Sequence, residues 1–268
     1  MTQSNIIKLL ISSSAKNTIS ESAKLAAELN TGLEISRLPL YKDKNATVES
    51  TVNKIKHDIG DFKNRITVHA MFSDVNVAGS DCILREISQM RCIQSFETAK
   101  AIGADTVLFH TGNKGTKHYG SQEQFRKKYI LFWKDFIKQF EQSGITAVIE
   151  NVFEKTPEYC IELFEGVNSP NLKLALDTGH VNLYAKETKV TDWIKAYGKN
   201  LYHMHIHNNF GRNDDHSNLE NGTLNFREIF DCIQETNITP SIVLEMYSED
   251  DIRKSIGFLE KINVNFQV

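Results

Sequence analysis

Apolar residues along this chain fall into two alternating patterns. Short runs with little polar interruption, rich in β-branched and aromatic residues, occupy positions 6–13, 32–38, 65–72, 106–112, 146–152, 172–178, 201–208 and 241–247. Such runs predict strands covered on both faces, as in a parallel sheet. Between them the apolar period lengthens to that of an amphipathic helix, over 20–30, 48–62, 81–103, 122–143, 157–167, 190–198, 226–237 and 250–262. Thr156 followed by Pro157 and Glu158 reads as an N-cap with proline at the first helical position. Gly103 and Gly144 read as left-handed helix ends just before a strand. Short helix-to-strand connections make each strand parallel to the last through a right-handed crossover. Eight such units in one unbroken chain predict a single (β/α)8 TIM barrel forming one domain over residues 1–268. The rival, an open doubly wound sheet, calls for a glycine-rich phosphate turn, and neither GxGxxG nor GxxxxGK[ST] occurs.

Composition narrows the function classes. Hydrophobic residues are 40 % and charged residues 24 % of the 268, which fits a globular chain and not a disordered one. No apolar run approaches the ~18–20 residues that cross a bilayer, so no membrane role is expected. The opening Met1-Thr2-Gln3-Ser4-Asn5 carries no basic residue, against a secretory signal. Four scattered cysteines (Cys82, Cys92, Cys160, Cys232) form no CxxC pair and read as reduced, mostly buried thiols, giving a cytoplasmic expectation. Net charge is −3 with no Lys/Arg block, which argues against nucleic acid as a partner.

In a barrel the reacting groups project from the C-terminal ends of the strands. Six successive predicted strands end in histidine or carboxylate: His69, His110, Glu150, Asp177, the series His203, His205 and His207, and Glu245. One carboxylate closing an apolar strand could be a satisfied core group, and unpaired it costs several kcal/mol. Six strands converging on one mouth are better explained by a divalent cation, which neutralises carboxylates and accepts neutral imidazole. The three histidines of the seventh strand share a face at period two. Whichever stands at metal height binds, and the others are deeper core or exposed rim. Asp214 and His216 add a D-x-H pair on the following loop, a weak signal strengthened by the strand it leaves.

The segments HAMFSDVN (69–76), IENVFE (149–154), DTGH (177–180), HIHN (205–208), DDH (214–216) and LE (244–245) together resemble the xylose-isomerase-like barrel superfamily of sugar phosphate isomerases/epimerases and apurinic/apyrimidinic-site endonucleases. The resemblance runs over the whole chain. It implies one metal held by Glu150, Asp177, His205 and Glu245. His205 is preferred because the family's ligand is followed three residues later by an acidic or amide residue; here that is Asn208, where Asp is commoner. The three-zinc endonuclease branch adds His69, His110, His180, Asp214 and His216, so all nine of its ligand positions are filled. That branch usually has His-x-Ser on the first strand, whereas this chain reads Leu10-Ile11-Ser12-Ser13-Ser14. The compact turn at 209–213 looks more like the sugar-isomerase members.

The resemblance therefore implies a divalent-metal-dependent isomerase or epimerase of a small sugar or sugar phosphate, moving an α-proton through an ene-diolate. Glu150 and Glu245 would exchange that proton, with His180, Glu154 and Arg212 on the substrate side. The His-rich set favours Zn or Mn, and the carboxylates also suit Mg, Co or Fe. The alternative is a multi-zinc phosphodiesterase resembling the endonucleases; a barrel that only binds is a third class, disfavoured by two opposed carboxylates. A homo-oligomer is left open. Other residues receive ordinary expectations: His57 and His118 at the surface, Arg37 a surface charge, Trp133 and Trp193 in helix packing, and Phe132, Phe136 and Phe140 on a core face. Asp74 and Asn76 either line the third loop or cap the helix near Ser80 and Asp81.

Overall fold

The structure is a computed structural model that describes residues 7–41, 43–113 and 122–267. Strands β1 (Ile7–Ser12), β2 (Gly32–Ile35), β3 (Ile66–His69), β4 (Thr106–His110), β5 (Thr146–Glu150), β6 (Leu172–Asp177), β7 (Leu201–Ile206) and β8 (Ser241–Leu244) pair in parallel, each with the next. β1 pairs with both β2 and β8, which closes the predicted eight-stranded barrel. A two-residue strand, β9 (Phe266–Gln267), adds to the start of β1 and was not predicted. Among the described residues the helices are α1 (Ile19–Glu28), α2 (Val48–Ile59), α3 (Cys82–Ile102), α4 (Gln122–Ser143), α5 (Glu158–Val167), α6 (Thr178–Tyr184), α7 (Val190–Tyr197), α8 (Phe226–Glu235) and α9 (Glu249–Lys261).

Helix entries follow the polar signals in the sequence. Thr18 caps α1 in a reciprocal box with Glu21, and Asp81, Asn225 and Ser248 cap α3, α8 and α9 through their side chains. Gly103 and Gly144 take φ of +80° and +71°, as their position between helix and strand requires. At α5 the expectation shifts by one residue. The helix starts at Glu158, Pro157 precedes it at φ −66°, and no side chain caps it. The Thr156 hydroxyl bonds the Glu158 carboxylate instead. Helix α6 escaped the periodicity reading because its seven residues are too short to show one; it starts directly from Asp177, whose carboxylate accepts from the His180 amide at 2.7 Å.

Two apolar regions hold the barrel. The larger lies between strands and helices and includes Trp133, Trp193, Phe136 and Phe140. There the Trp133 ring packs on Phe109 and Phe136 at 5.1 and 5.3 Å. The smaller lies inside the barrel, where Leu108, Val148 and Ala175 meet. Two residues further along those same strands stand His110, Glu150 and Asp177, so the interior face turns polar towards the mouth. Cys92, Cys160 and Cys232 are buried, Cys82 is exposed, and all four are unbridged. His57 is exposed, as expected; His118 lies outside the described residues. No helix among the described residues is long and apolar enough to cross a membrane.

Candidate metal centre

Alternation along the strands brings Glu150, Asp177 and His205 inward at one level, and Glu245 joins them just beyond β8. His205 Nδ1 lies 2.7 Å from Glu150 Oε1, 3.2 Å from Glu245 Oε2 and 4.0 Å from Asp177 Oδ2. Both Glu150 oxygens and His205 Nδ1 are buried, yet none has a hydrogen bond of acceptable geometry. Close acceptor atoms facing one point without aligned donors are what a cation site looks like before the ion is considered. Burial alone would raise the Glu150 carboxyl, but the neighbouring His205 and His110 hold it well below the usual carboxylate range. Glu245 is likewise raised by burial and brought down to about 2, chiefly by His205. Burial lowers the His205 imidazole, but Glu245, Glu150 and Glu34 raise it well above its ordinary value. The surplus of carboxylate charge here fits a divalent cation, for which an imidazolium proton is a weak substitute.

Two further groups flank this centre. His69 Nε2 and His110 Nε2 stand 3.2 Å apart, with His110 Nε2 2.8 Å from Glu150 Oε2. On the other side His180 Nε2 is 3.5 Å and His216 Nε2 3.3 Å from Asp214 Oδ2. Three of these imidazoles are tethered from behind by a main-chain carbonyl. His69 Nδ1 donates to Ala70 O at 2.9 Å, His180 Nδ1 to Asn151 O at 3.0 Å, and His216 Nδ1 to Glu245 O at 2.6 Å. Each tether leaves Nε2 aimed into the mouth. The sets His69/Glu150/His205, Glu150/Asp177/His180 and His207/Asp214/His216 each hold three ligand atoms within 4.8 Å of one another. Burial pulls the His180 and His216 imidazoles down, but Asp177 and Asp214 for the first, and Asp214 and Glu245 for the second, carry them up to about 10 and about 9.

The seventh strand is now resolved in depth. His203 is deeper core, bonded to Ser241 and Glu34. His207 is neither core nor rim. It is fully buried at the mouth, with Nε2 3.3 Å from Asp177 Oδ2 and its ring stacked on His216 at 3.9 Å. The Gly of the DTGH motif makes this possible, because a Cβ on Gly179 would fall inside the His207 ring. Asn208 organises the loop that follows. Its amide donates to Leu219 O and Leu224 O at 2.9 and 3.2 Å, and its Oδ1 accepts from the Asn209 and Leu224 amides. An Asp at this place could make none of those donations. His216 at the end of the D-x-H pair sits at φ +47°, a conformation held by its carbonyl tether and by stacking on His207 and Tyr247.

Glu154 is buried and turned into its own loop, accepting from Thr111 Oγ1 at 2.6 Å and the Val152 amide at 2.7 Å. Burial raises its carboxyl. Arg212 and Arg37 are exposed. Asp81, and not Asp74 or Asn76, caps α3; Asn76 Oδ1 instead accepts from the Ala78 amide. Where β1 and β2 end, Ser12, Ser13, Ser14 and Ser36 form a hydroxyl cluster, with Ser12 Oγ 2.8 Å from Ser14 Oγ and Ser13 Oγ 3.0 Å from Ser36 Oγ. A cavity of about 380 Å³ opens beside the centre, lined among others by Phe72, His110, Phe153, His180, Tyr184 and Asp214. Sequence reasoning missed Glu34, a wholly buried carboxylate in the apolar run 32–38. The signal was the same one that found Glu150.

A protein of Methanocaldococcus jannaschii without an assigned function is 26 % identical over 207 residues, 75 % of this chain and 70 % of that one. A Xenopus laevis protein provisionally named hydroxypyruvate isomerase is 28 % identical over 179 residues, 61 % of this chain and 62 % of that one. The crystal structure of a D-tagatose 3-epimerase-like protein superposes with a TM-score of 0.80 at 23 % identity, covering 96 % of this chain and 97 % of the other. Residues 23–262 match the family described as xylose isomerase-like TIM barrel. That match spans all but the ends of the chain, which therefore belongs to the xylose isomerase-like TIM barrel family.

Proposed function

We propose that this chain is a divalent-metal-dependent isomerase or epimerase of a small sugar or sugar phosphate, acting by α-proton transfer through an ene-diolate. The observation that carries the reading is the meeting of Glu150, at the end of β5, and Glu245, just beyond β8, at one imidazole nitrogen 2.7 and 3.2 Å away. Glu150, Asp177, His205 and Glu245 would hold the cation, Zn or Mn first, with Mg, Co or Fe compatible. When bound, that ion polarises a substrate carbonyl and lowers the acidity barrier at the neighbouring carbon. Glu150 and Glu245 then serve as the pair that removes and returns the proton at that carbon. Return to the same carbon from the other face gives epimerisation; return to the former carbonyl carbon, with the hydroxyl proton passing to the former carbonyl oxygen, gives isomerisation.

The surroundings support a small substrate. The cavity beside His110 and His180 has the volume of a small-molecule site. Exposed Phe72, Phe153 and Tyr247 present apolar rings at the mouth, where they would exclude water over the bound sugar. His180 faces that cavity as a hydroxyl partner. Arg212, on the loop carrying Asp214, would meet an anionic group, and Glu154 would support the wall through Thr111. A protein provisionally named an isomerase and an epimerase-like protein among the similar ones point the same way. The test is solvent deuterium incorporation into a panel of ketoses, aldoses and their phosphates, with each metal added to stripped protein. Label entering one sugar at its carbonyl-adjacent carbon is expected. Absence of label across the panel with every metal sinks the reading.

One observation favours a second reading, a multi-zinc phosphodiesterase. The flanking His69/His110 and His180/Asp214/His216 groups are oriented with Nε2 inward and would extend the centre to three ions. Nicking of an abasic-site duplex with added zinc, lost in His216→Ala, would put this reading first.

A further inference from the structure

Below the mouth, His205 makes a contact that proton transfer does not use. Glu34 on β2 is wholly buried and reaches β7 through the barrel interior. Its Oε1 lies 2.7 Å from His205 Nε2, while Oε2 lies 3.1 Å from His203 Nε2 and accepts from Thr67 Oγ1 at 3.0 Å. An ionised carboxylate only accepts hydrogen bonds, so both imidazoles must present Nε2–H to it. His203 is braced in turn, with its Nδ1 2.7 Å from Ser241 Oγ. In the neutral imidazole that a cation would bind, the lone pair of His205 is thereby left on Nδ1, the atom that faces Glu150, Glu245 and Asp177.

This arrangement inverts that of the flanking histidines. His69, His180 and His216 tie Nδ1 to a main-chain carbonyl and present Nε2. His205 lies within a strand whose carbonyls are engaged in the barrel ladder, so only a side chain crossing the interior can anchor it. We propose that Glu34 is a positioning residue for the cation site: it fixes His205 as the Nε2–H tautomer, presents Nδ1 to the ion and strengthens that nitrogen as a donor. The inference rests on the reading that the mouth holds a divalent cation through His205. Glu34, His203 and His205 also lie close enough to hold an ion themselves. The three hydrogen bonds to Glu34 already occupy that space, which makes it a bracing network.

Two measurements test the assignment. Stripped protein, Glu34→Gln and Glu34→Ala are titrated with Zn²⁺ against a chromophoric chelator, alongside metal-free melting temperatures. Glu34→Gln keeps the shape and removes the charge; its affinity is expected to fall about 10–100-fold, with more lost in Glu34→Ala. Unchanged Zn²⁺ affinity in both variants, whatever their melting temperature, reduces Glu34 to a core group and overturns the proposal. The second measurement needs no variant at Glu34. In ¹⁵N-histidine spectra of the Zn²⁺-loaded chain, His205, assigned by its loss in His205→Asn, should carry its proton on Nε2; a proton on Nδ1 overturns the proposal. If the unaltered chain binds neither Zn²⁺ nor Mn²⁺, the cation reading falls and takes this one with it. Binding by the unaltered chain with equal binding by both variants removes this proposal alone.

Discussion

Glu245 and Glu150 share a partner in His205 Nδ1 but differ in setting, since Glu150 ends a strand and Glu245 begins the loop after one. Exchanging Glu245 for Gln removes a proton acceptor with little change of shape. Glu245→Gln should lower label exchange by about 10²–10⁴-fold while the circular dichroism spectrum stays that of the unaltered chain. Exchange at the normal rate would end its role as acid or base. Gly179→Ala is expected to act sterically, forcing the His207 ring away from Asp177 and destabilising by about 1–3 kcal/mol. A melting curve and a metal count on the same sample check it; an unchanged count would separate His207 from the centre. The legible residues were charged groups ending apolar strands, where the cost of burial makes them conspicuous. Glu34 breaks the same rule one residue before the end of β2, inside an apolar run that reads as continuing to 38, and attention to the ends of such runs alone passes over it. Spacing placed His203, His205 and His207 on one face but carries no information about depth.

Among elements, the strands were readable because both faces of a closed barrel are apolar. Their ends were not: Leu38, Met71, Asn151 and Met246 lie beyond the last paired residues yet remain buried, so the pattern runs past the ladder. The β7–α8 connection was readable as a compact turn at 209–213 and a D-x-H signal. What shapes it is the Asn208 amide, whose four hydrogen bonds span residues 208–224, and the room left by Gly222, where a Cβ would strike Asn208. Such long-range satisfaction leaves no periodic trace. Asn208→Asp would set a carboxylate against Leu219 O and Leu224 O and should destabilise by about 2–4 kcal/mol. Hydrogen exchange across 209–224 should rise in that variant; unchanged protection would show that other contacts hold the loop.

For the molecule as a whole, protonation and cation compete for the same mouth. In chelated protein His180 and His216 are held up to about 10 and about 9, so between their ordinary 6.5 and those values the native chain binds more protons than the unfolded one. Their contribution to stability is complete below 6.5 and is lost as pH rises through 9 to 10. Glu245, held down to about 2, has the opposite sign: its contribution is complete above its ordinary 4.5 and is lost as pH falls. Chelated protein should therefore melt highest between about pH 4.5 and 6.5. Saturating Zn²⁺ displaces imidazolium protons and should raise the melting temperature most above pH 7. Coincident curves with and without Zn²⁺ at every pH would leave the mouth a proton-bonded network and nothing more.

The carbonyl tethers behind His69, His180 and His216 bear on how such a barrel diversifies. Their acceptors are peptide oxygens of Ala70, Asn151 and Glu245, which no codon change can delete. Mouth loops and rim aromatics can therefore drift, and substrate preference with them, while these three imidazoles keep their aim. His205 has no such insurance, since its anchor is the replaceable side chain of Glu34. Among the groups that anchor these imidazoles from behind, position 34 is therefore the one that a single nucleotide change could remove.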